Sequence, residues 1–325
     1  MTILFAVFLL SLLVIIAVAI IRAENLFVAL MLTTIFSLLM ATNFFILDAA
    51  DVALTEAAIG AGITTVIFLG ALALTSEHEK PFVAVPWLAL PVVAVTAALL
   101  IFASFDNPRL GDPEAPIHQH VVPWYLEQTP KLVDIPNVVT AILGSFRAFD
   151  TLGEVFVIFA ACIGVLFLLS ARKPSETRCT APASVGLSQH LIPKVAGRFI
   201  LPFIILFGFY VQFHGDFGPG GGFQAGAIVA TGLILFALLE GEERALRAFP
   251  RWIMMAMAAG GALLYALVGV AGIAMGGKFL DYSVLSSDPI AGQHLGILLI
   301  EAGVGITVCG SLLLIFHAFA ARESF

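Results

Sequence analysis

The sequence has little charge. Asp, Glu, Lys and Arg make up 11% of its 325 residues, against about 25% in a soluble domain. That shortage excludes an ordinary soluble globular domain, and nothing in the chain points to nucleic acid. Cysteine is scarce too. Cys162, Cys179 and Cys309 are the three present, and none belongs to a Cys-x-x-Cys pair, so neither a disulfide framework nor an iron–sulfur site is indicated. The apolar–polar alternation of strands is missing, which argues against a β-barrel. No nucleophile–base arrangement, dinucleotide fingerprint or cofactor-attachment motif occurs. His118 and His120 stand two apart with no third ligand in sight, so no metal site is indicated. Paired histidines for haem would have to come from His214, His294 and His317, whose depths do not match. The sequence therefore implies no cofactor.

What it has is apolar length. Hydrophobic residues make up 60% of the chain, in runs long enough to cross a bilayer, which takes about 20 residues each. The pattern predicts an all-α, polytopic membrane protein with about nine spans, near 2–21, 26–47, 51–74, 86–105, 150–170, 195–213, 219–239, 252–274 and 290–316. The first run lacks a basic leader and is too long for a signal peptide, so it reads as a retained helix. With the N-terminus outside and the C-terminus cytoplasmic, only Arg109, Lys131, Arg147 and Lys278 of the 15 Lys and Arg fall on the outer side, as the positive-inside rule requires. A proline-rich outer loop at 106–137 and a polar cytoplasmic tether at 171–193 divide the chain. Three modules result: 1–80 with three helices, 81–172 with two, and 194–325 with four, the last preceded by a linker at 173–193.

Charge inside a bilayer costs at least ~2.5 kcal/mol per residue, so each intramembrane acid needs a reason. Glu56 lies about 8 Å into its span, too deep to cap it, while Asp48 or Asp51 is placed to do so. Beside Ala57, Gly60 and Ala61, which admit a neighbouring helix, Glu56 reads as a proton or cation relay rather than a structural carboxyl. Arg147, Asp150 and Glu154 recur at i, i+3 and i+7 on one helical face. Arg147 and Asp150 suit an interfacial pair, and Glu154 lies a turn deeper. Glu301 falls about 16 Å into the last span, with His294 two turns earlier on the same face. The two fit either a proton stripe or a helix–helix hydrogen bond with an interfacial histidine. Glu24, beside Arg22 at the first cytoplasmic junction, reads from position as a solvated pair. Lys194 and Arg198 suit snorkelling to the cytoplasmic interface.

One stretch differs from everything around it: His214-Gly215-Asp216-Phe217-Gly218-Pro219-Gly220-Gly221-Gly222-Phe223-Gln224. Its glycines and proline cannot continue a helix, and it lacks the Gly-Lys-Ser/Thr ending of a phosphate loop. A tight outer re-entry is expected, with His214 and Asp216 at an outer ion mouth. Gly222 and Gly226, four apart, suit close packing of the following helix on a neighbour.

At these residues the chain resembles a known family. DVALTEAAIGAG, from Asp51 to Gly62, is similar to the C-terminal part of the large A subunit of Mrp-type sodium/proton antiporters, and to the D subunit of energy-converting membrane-bound hydrogenases. NVVTAILGSFRAFDTLGE, from Asn137 to Glu154, resembles the E module that follows in those proteins. HGDFGPGGGFQAG resembles the antiporter B subunit, with Pro219, Gly220, Gly221, Gly222 and Phe223 matching its signature. The resemblance covers nearly the whole chain and implies a fusion of modules that are usually separate. It implies an auxiliary subunit of a cation (Na+)/proton antiporter in the cell inner (plasma) membrane. The expected partners are large antiporter-like A and D subunits, small C, E, F and G subunits, Na+, H+ and the lipid bilayer. The alternative it implies is the ion-translocating arm of a redox-driven complex. Glu56 and Glu154 match acidic positions treated as important for transport, with Na+ held transiently near them, and Glu24 matches a third. The long antiporter core with its lysine-bearing broken helices is not in this sequence, so exchange by this chain alone is not expected.

Overall fold

The computed structural model describes residues 2–78, 87, 89–109, 111–170 and 191–323. Helices dominate, and among these residues no strand occurs beyond one isolated bridge between Asn25 and His78. Three helices open the chain: α1 (Thr2–Arg22), α2 (Leu26–Ile46) and α3 (Ala50–Leu72). Then come the shorter α4 (Ala89–Ser104) and α5 (Val121–Leu132), and the long α6 (Ala148–Ser170). After residue 190 follow α7 (Leu191–His214), α8 (Gly222–Glu240), the short α9 (Glu242–Ala248), α10 (Arg251–Ala274) and α11 (Pro289–Glu323).

Eight of these are long and apolar enough to span a membrane, where the sequence suggests about nine. The difference is α4. Its 16 residues rise about 24 Å, short of a hydrocarbon layer of about 30 Å, and residues 86 and 88, at the start of that expected span, lie outside the described residues. So does most of the tether, at 171–190. The loop at 106–137 holds more helix than its prolines suggest, because Pro123 falls in the first turn of α5, where a missing N–H costs nothing. Trp124 and Tyr125 of α5 pack against Phe146, with ring centroids 5.3 and 5.4 Å away.

The axis of the molecule is α11, a 35-residue helix about 52 Å long. Two apolar clusters flank it, one around Tyr265, Tyr282, Ile297 and Ile300, the other around Ile234, Met254, Cys309 and Leu313. Small residues bring its neighbours to backbone contact. A Cβ on Gly226 of α8 would stand 2.4 Å from the Gly305 carbonyl oxygen, and one on Gly261 of α10 would stand 2.3 Å from that of Gly303. With no apolar driving force between helices in lipid, such close approach supplies the dispersion contact that holds them together.

Two helical segments depart from regular α geometry. In α3 the stretch Glu56–Ile63 is π-helical, and Ile142–Phe146 is π-helical after the single turn Val138–Ala141. The second ends at Arg147 (φ −123°, ψ 31°), and α6 starts afresh at Ala148. Residues 138–147 are thus set apart from the regular helix of α6. They form a kinked segment packed on α11, with Gly144 against Ile297 and the Ser145 hydroxyl donating to Gln293 Oε1 at 2.7 Å. π turns concentrate at functional sites, since the extra residue re-aims side chains.

Candidate functional site

The glycine stretch is where the modules meet. After His214 the chain doubles back so tightly that Gly221 N–H donates to the Val211 carbonyl at 3.1 Å. A Cβ on Gly220 would stand 2.5 Å from that same oxygen, and one on Gly222 would stand 2.0 Å from the Glu301 carbonyl oxygen. Gly221 has φ +126°, a region that side-chain-bearing residues avoid. His214 stacks on Tyr210 with centroids 4.9 Å apart, and its ring lies under Gly218. Pro219 is exposed, and Phe223 turns towards the cluster around Tyr265.

Asn137 knots this loop to the other two modules. Its Nδ2 donates to the carbonyls of Gly215 (3.0 Å) and Gly218 (2.9 Å) and to Asp51 Oδ1 (3.2 Å). Its Oδ1 accepts from Val139 N–H, capping the turn that follows, and its own N–H donates to the Asp216 carbonyl at 3.0 Å. Thr140 adds a hydroxyl to Gly215 O at 2.7 Å. Asp51 is therefore not the N-cap of α3. Ala49 holds that position without a side-chain bond, because the Asp51 carboxylate is drawn to the Asn137 amide. Asp48 does not cap either, and has a positive φ of 59°.

Around the knot lie the titratable groups. Asp216 is half-buried, and burial lifts its carboxyl above the ordinary value while the nearby His294 partly offsets this. The His294 Nε2 lies 2.8 Å from the Val133 carbonyl; a carbonyl only accepts, so that nitrogen carries a proton. Glu301, on the next turns of α11, places Oε1 beside Gly221, 3.5 Å from where a Cβ would stand, and Gln224 Oε1 lies at the same distance. Gln224 Nε2 in turn donates to the Thr55 hydroxyl at 2.7 Å. The residue after Thr55 is Glu56, whose carboxyl folds over Gly60 into a notch also lined by Ser37 of α2. Asp216, His294 and Glu301 thus lie around the glycine loop with Gln224, which is bonded to Thr55, the residue before the π turn of Glu56.

The other expected residues lie elsewhere. Arg147 and Asp150 form an exposed ion pair, with Nε to Oδ2 at 2.6 Å. Because the helix breaks at Arg147, the pair and Glu154 do not share one unbroken helical stripe. Glu154 is exposed on α6, and no hydrogen bond or ion pair joins it to the junction among the described residues. Nearby, the buried Tyr265 hydroxyl donates to the Ala148 carbonyl at 2.8 Å, tying the start of α6 to α10. Glu24 is exposed in the α1–α2 turn, and no ion pair joins it to Arg22 among the described residues. Arg198 pairs with Glu240 instead of only snorkelling. The residues missed from sequence are Asn137, Gln224 and Thr55. All three stand inside the quoted motifs, which was the one available signal; nothing about their spacing separates them from ordinary polar helix residues.

These features define a class: a multi-pass helical membrane protein whose modules converge on a polar, carboxyl-bearing junction. Comparison with known proteins gives the family. Residues 192–314 match the domain related to the MnhB subunit of Na+/H+ antiporters, residues 11–77 match MbhD, the D subunit of MBH, and residues 91–185 match MbhE, the E subunit of MBH. The chain is 35% identical to the putative antiporter subunit mnhB2 of Staphylococcus haemolyticus, over 91% of that protein and 38% of this one. It is 27% identical to the probable K(+)/H(+) antiporter A/B subunit of Rhizobium meliloti, over 86% of this chain. It spans only 30% of that relative's length. Among solved structures, the Mrp complex from Dietzia sp. DQ12-45-1b contains a chain that superposes with a TM-score of 0.73 at 25% identity, covering 96% of this chain and 34% of that one. The membrane-bound sulfane sulfur reductase, an archaeal respiratory membrane complex, matches with a TM-score of 0.52 at 28% identity, over 70% of this chain and 94% of that one. The chain belongs to the Mrp/Mnh antiporter-subunit family and is a multi-pass protein of the cell membrane.

Proposed function

We propose that the chain is a membrane subunit of a multi-subunit cation/proton antiporter of Mrp type, where it lines part of the ion path and has no catalytic residues of its own. One observation carries this reading: three family modules meet at the Asn137 knot, beside Asp216, His294 and Glu301 and one hydrogen bond from the Glu56 turn. Protons pass between carboxyls on this route, and cations dwell transiently near Glu56 and Glu154. Na+ is the first candidate, as in the name of the MnhB domain, and the Rhizobium relative's name adds K+. The partners are large antiporter-like A and D subunits and small C, E, F and G subunits. Glu154, exposed on an apolar helix, is supplied by one of them with a polar neighbour, because a bare carboxylate against lipid is costly. The N-terminus lies outside and the C-terminus in the cytoplasm, with modules at 1–80, 81–172 and 194–325 joined by the linker at 173–193.

A second reading has its own support. The MBH-type matches and the likeness to a respiratory complex fit an ion-translocating arm driven by a redox reaction. Purification of the intact complex in mild detergent, with mass-spectrometric identification of every subunit, separates the two. Antiporter-like membrane subunits alone are expected. Stoichiometric iron–sulfur or nickel–iron subunits would replace the first reading with the second.

A further inference from the structure

Three cations gather where α7 begins and α8 ends, at the end of both helices away from the glycine loop. Arg198 Nε and Arg244 Nη1 donate to the two oxygens of Glu240 at 2.5 and 2.8 Å. Lys194 stands one turn before Arg198 on the same side of α7. The Glu240 side chain is only 7% exposed, whereas those of Arg198 and Arg244 are 56% and 62% exposed. One shielded carboxylate thus pins two guanidinium groups at the surface, and its charge offsets only one of the three cations. The neighbouring charges cancel: Arg247 pairs with Glu243, and Glu242 balances Arg251 in number. On a chain with a net charge of −7, this is a local excess of the opposite sign.

Beside the cations runs an apolar stripe. α7 packs on α8 through glycines. A Cβ on Gly197 would stand 2.4 Å from Leu239 Cδ1, and one on Gly208 would stand 2.6 Å from Val229 Cγ2. Val195, Phe199, Phe203 and Leu206 lie on the other side of the helix and are all exposed, with the rings of Phe199 and Phe203 5.5 Å apart. Arg198 falls between the two faces, about 100° around the helix from Gly197 and about 60° from Val195. From Val195 to Leu206 the stripe rises about 17 Å into the span, the reach of an acyl chain. Basic residues at a span end set orientation without needing a fixed geometry. Here a buried carboxylate fixes it, and guanidinium forks match phosphate oxygens. A phospholipid answers the charge and the stripe with one molecule, whereas an acidic protein segment answers the charge alone.

We propose that Lys194, Arg198 and Arg244 hold the phosphate of an anionic phospholipid whose acyl chain lies along Val195, Phe199, Phe203 and Leu206. Anionic headgroups are drawn to basic clusters at the membrane surface and in pockets between spans. The site stands apart from the transport reading, since its test needs no ion exchange.

The complex, purified in mild detergent and stripped of lipid, is titrated with phosphatidylglycerol, with phosphatidylcholine and with inorganic phosphate. Melting temperature is followed, and tightly held lipid is counted by native mass spectrometry. The double variant Lys194→Gln, Arg244→Gln leaves the Arg198–Glu240 pair in place, and Arg247→Gln removes a charge that Glu243 already neutralises. Phosphatidylglycerol is expected to raise the melting temperature of wild type and Arg247→Gln over the same concentration range. The double variant should need at least ten-fold more and should keep at least one anionic lipid fewer per complex. Should the double variant fail to assemble, Lys194→Gln alone, which breaks no bond to Glu240, serves the same comparison. Phe199→Ala with Phe203→Ala should weaken the long-chain lipid several-fold and leave a dihexanoyl form unaffected. Equal titrations in wild type and the charge variants overturn the site. An equal response to phosphatidylcholine overturns the preference for an anionic headgroup, and an equal response to phosphate alone leaves only a free-anion site. Loss of a protein subunit from the double variant at unchanged lipid content overturns the proposal in favour of an acidic segment of a partner.

Discussion

Asn137 does more than its position at the start of a short helix suggests. One amide group serves two carbonyls, a carboxylate and a helix N-terminus. Truncation to alanine leaves several of these unsatisfied at once, which costs roughly 2 kcal/mol or more. Asn137→Ala should therefore lower the melting temperature of the purified complex by several degrees, and Asn137→Asp by more, since a carboxylate faces Asp51 and two carbonyl oxygens. An unchanged melt for both variants would remove the knot from the account. Asp216 makes a pH-dependent prediction. Its folded carboxyl sits above the ordinary value of 3.8 because burial disfavours charge. A raised acid destabilises the folded state where it is ionised, and the penalty vanishes once pH falls below the unfolded value. Asp216→Asn should stabilise the protein at pH 7, and the gain should fade as pH approaches about 4. A gain that grows towards acid would have the wrong sign. For transport, Glu301→Gln is expected to slow exchange at least ten-fold with the complex assembled, measured in reconstituted vesicles with a trapped pH dye and an imposed Na+ or K+ pulse; normal rates would confine Glu301 to packing.

Among the elements, the α8–α11 crossing is the least forgiving. Gly222 and Gly226 of α8 touch the Glu301 and Gly305 carbonyls through space that no side chain can share. Gly226→Val has to push two backbones apart, a cost of about 3 kcal/mol at the upper end for overpacking. It should abolish recovery of the assembled complex on size-exclusion chromatography, whereas Gly153→Ala on the open face of α6, with nothing within 4 Å, should assemble as wild type. Gly221→Val combines a positive φ with proximity to Glu301 and should impair assembly before it alters ion selectivity. Normal assembly with altered selectivity would make the loop an ion site in its own right.

At the scale of the whole molecule, the junction distributes roles. Asp51, Asn137 and the glycine loop meet at one end of the bundle. The Asn25–His78 bridge marks a turn between the opposite ends of α2 and α3, and the Arg198–Glu240 pair marks the opposite ends of α7 and α8. That alternation is what successive crossings of a bilayer produce. The apolar outer faces of α4, α6 and α7, with Phe102, Phe149, Phe167, Phe199 and Phe203 all exposed, face lipid or partner helices. Antibody accessibility of an epitope in loop 106–137, tested in right-side-out and inverted vesicles, is expected to place that loop, and with it the glycine loop, outside.

The sequence by itself settled the helical membrane class, the spans apart from α4, and the family, because a crossing of lipid demands about 20 apolar residues in a row and a glycine-rich break in such a run is conspicuous. It also singled out Glu56, Glu154, Glu301, His294 and Asp216, since charge stands out wherever it is expensive. What only the tertiary structure decided is which of these meet. Glu154 turned outward and Glu301 turned to the glycine loop, although both are acids in apolar helices, because helix rotation follows from packing against small residues on α8 and α10 rather than from any property of the acid. The π turns, the break at Arg147 and the silent partners Asn137, Gln224 and Thr55 were decided there as well. A hydrogen bond between residues 169 positions apart, such as Gln224 to Thr55, leaves no trace in local spacing.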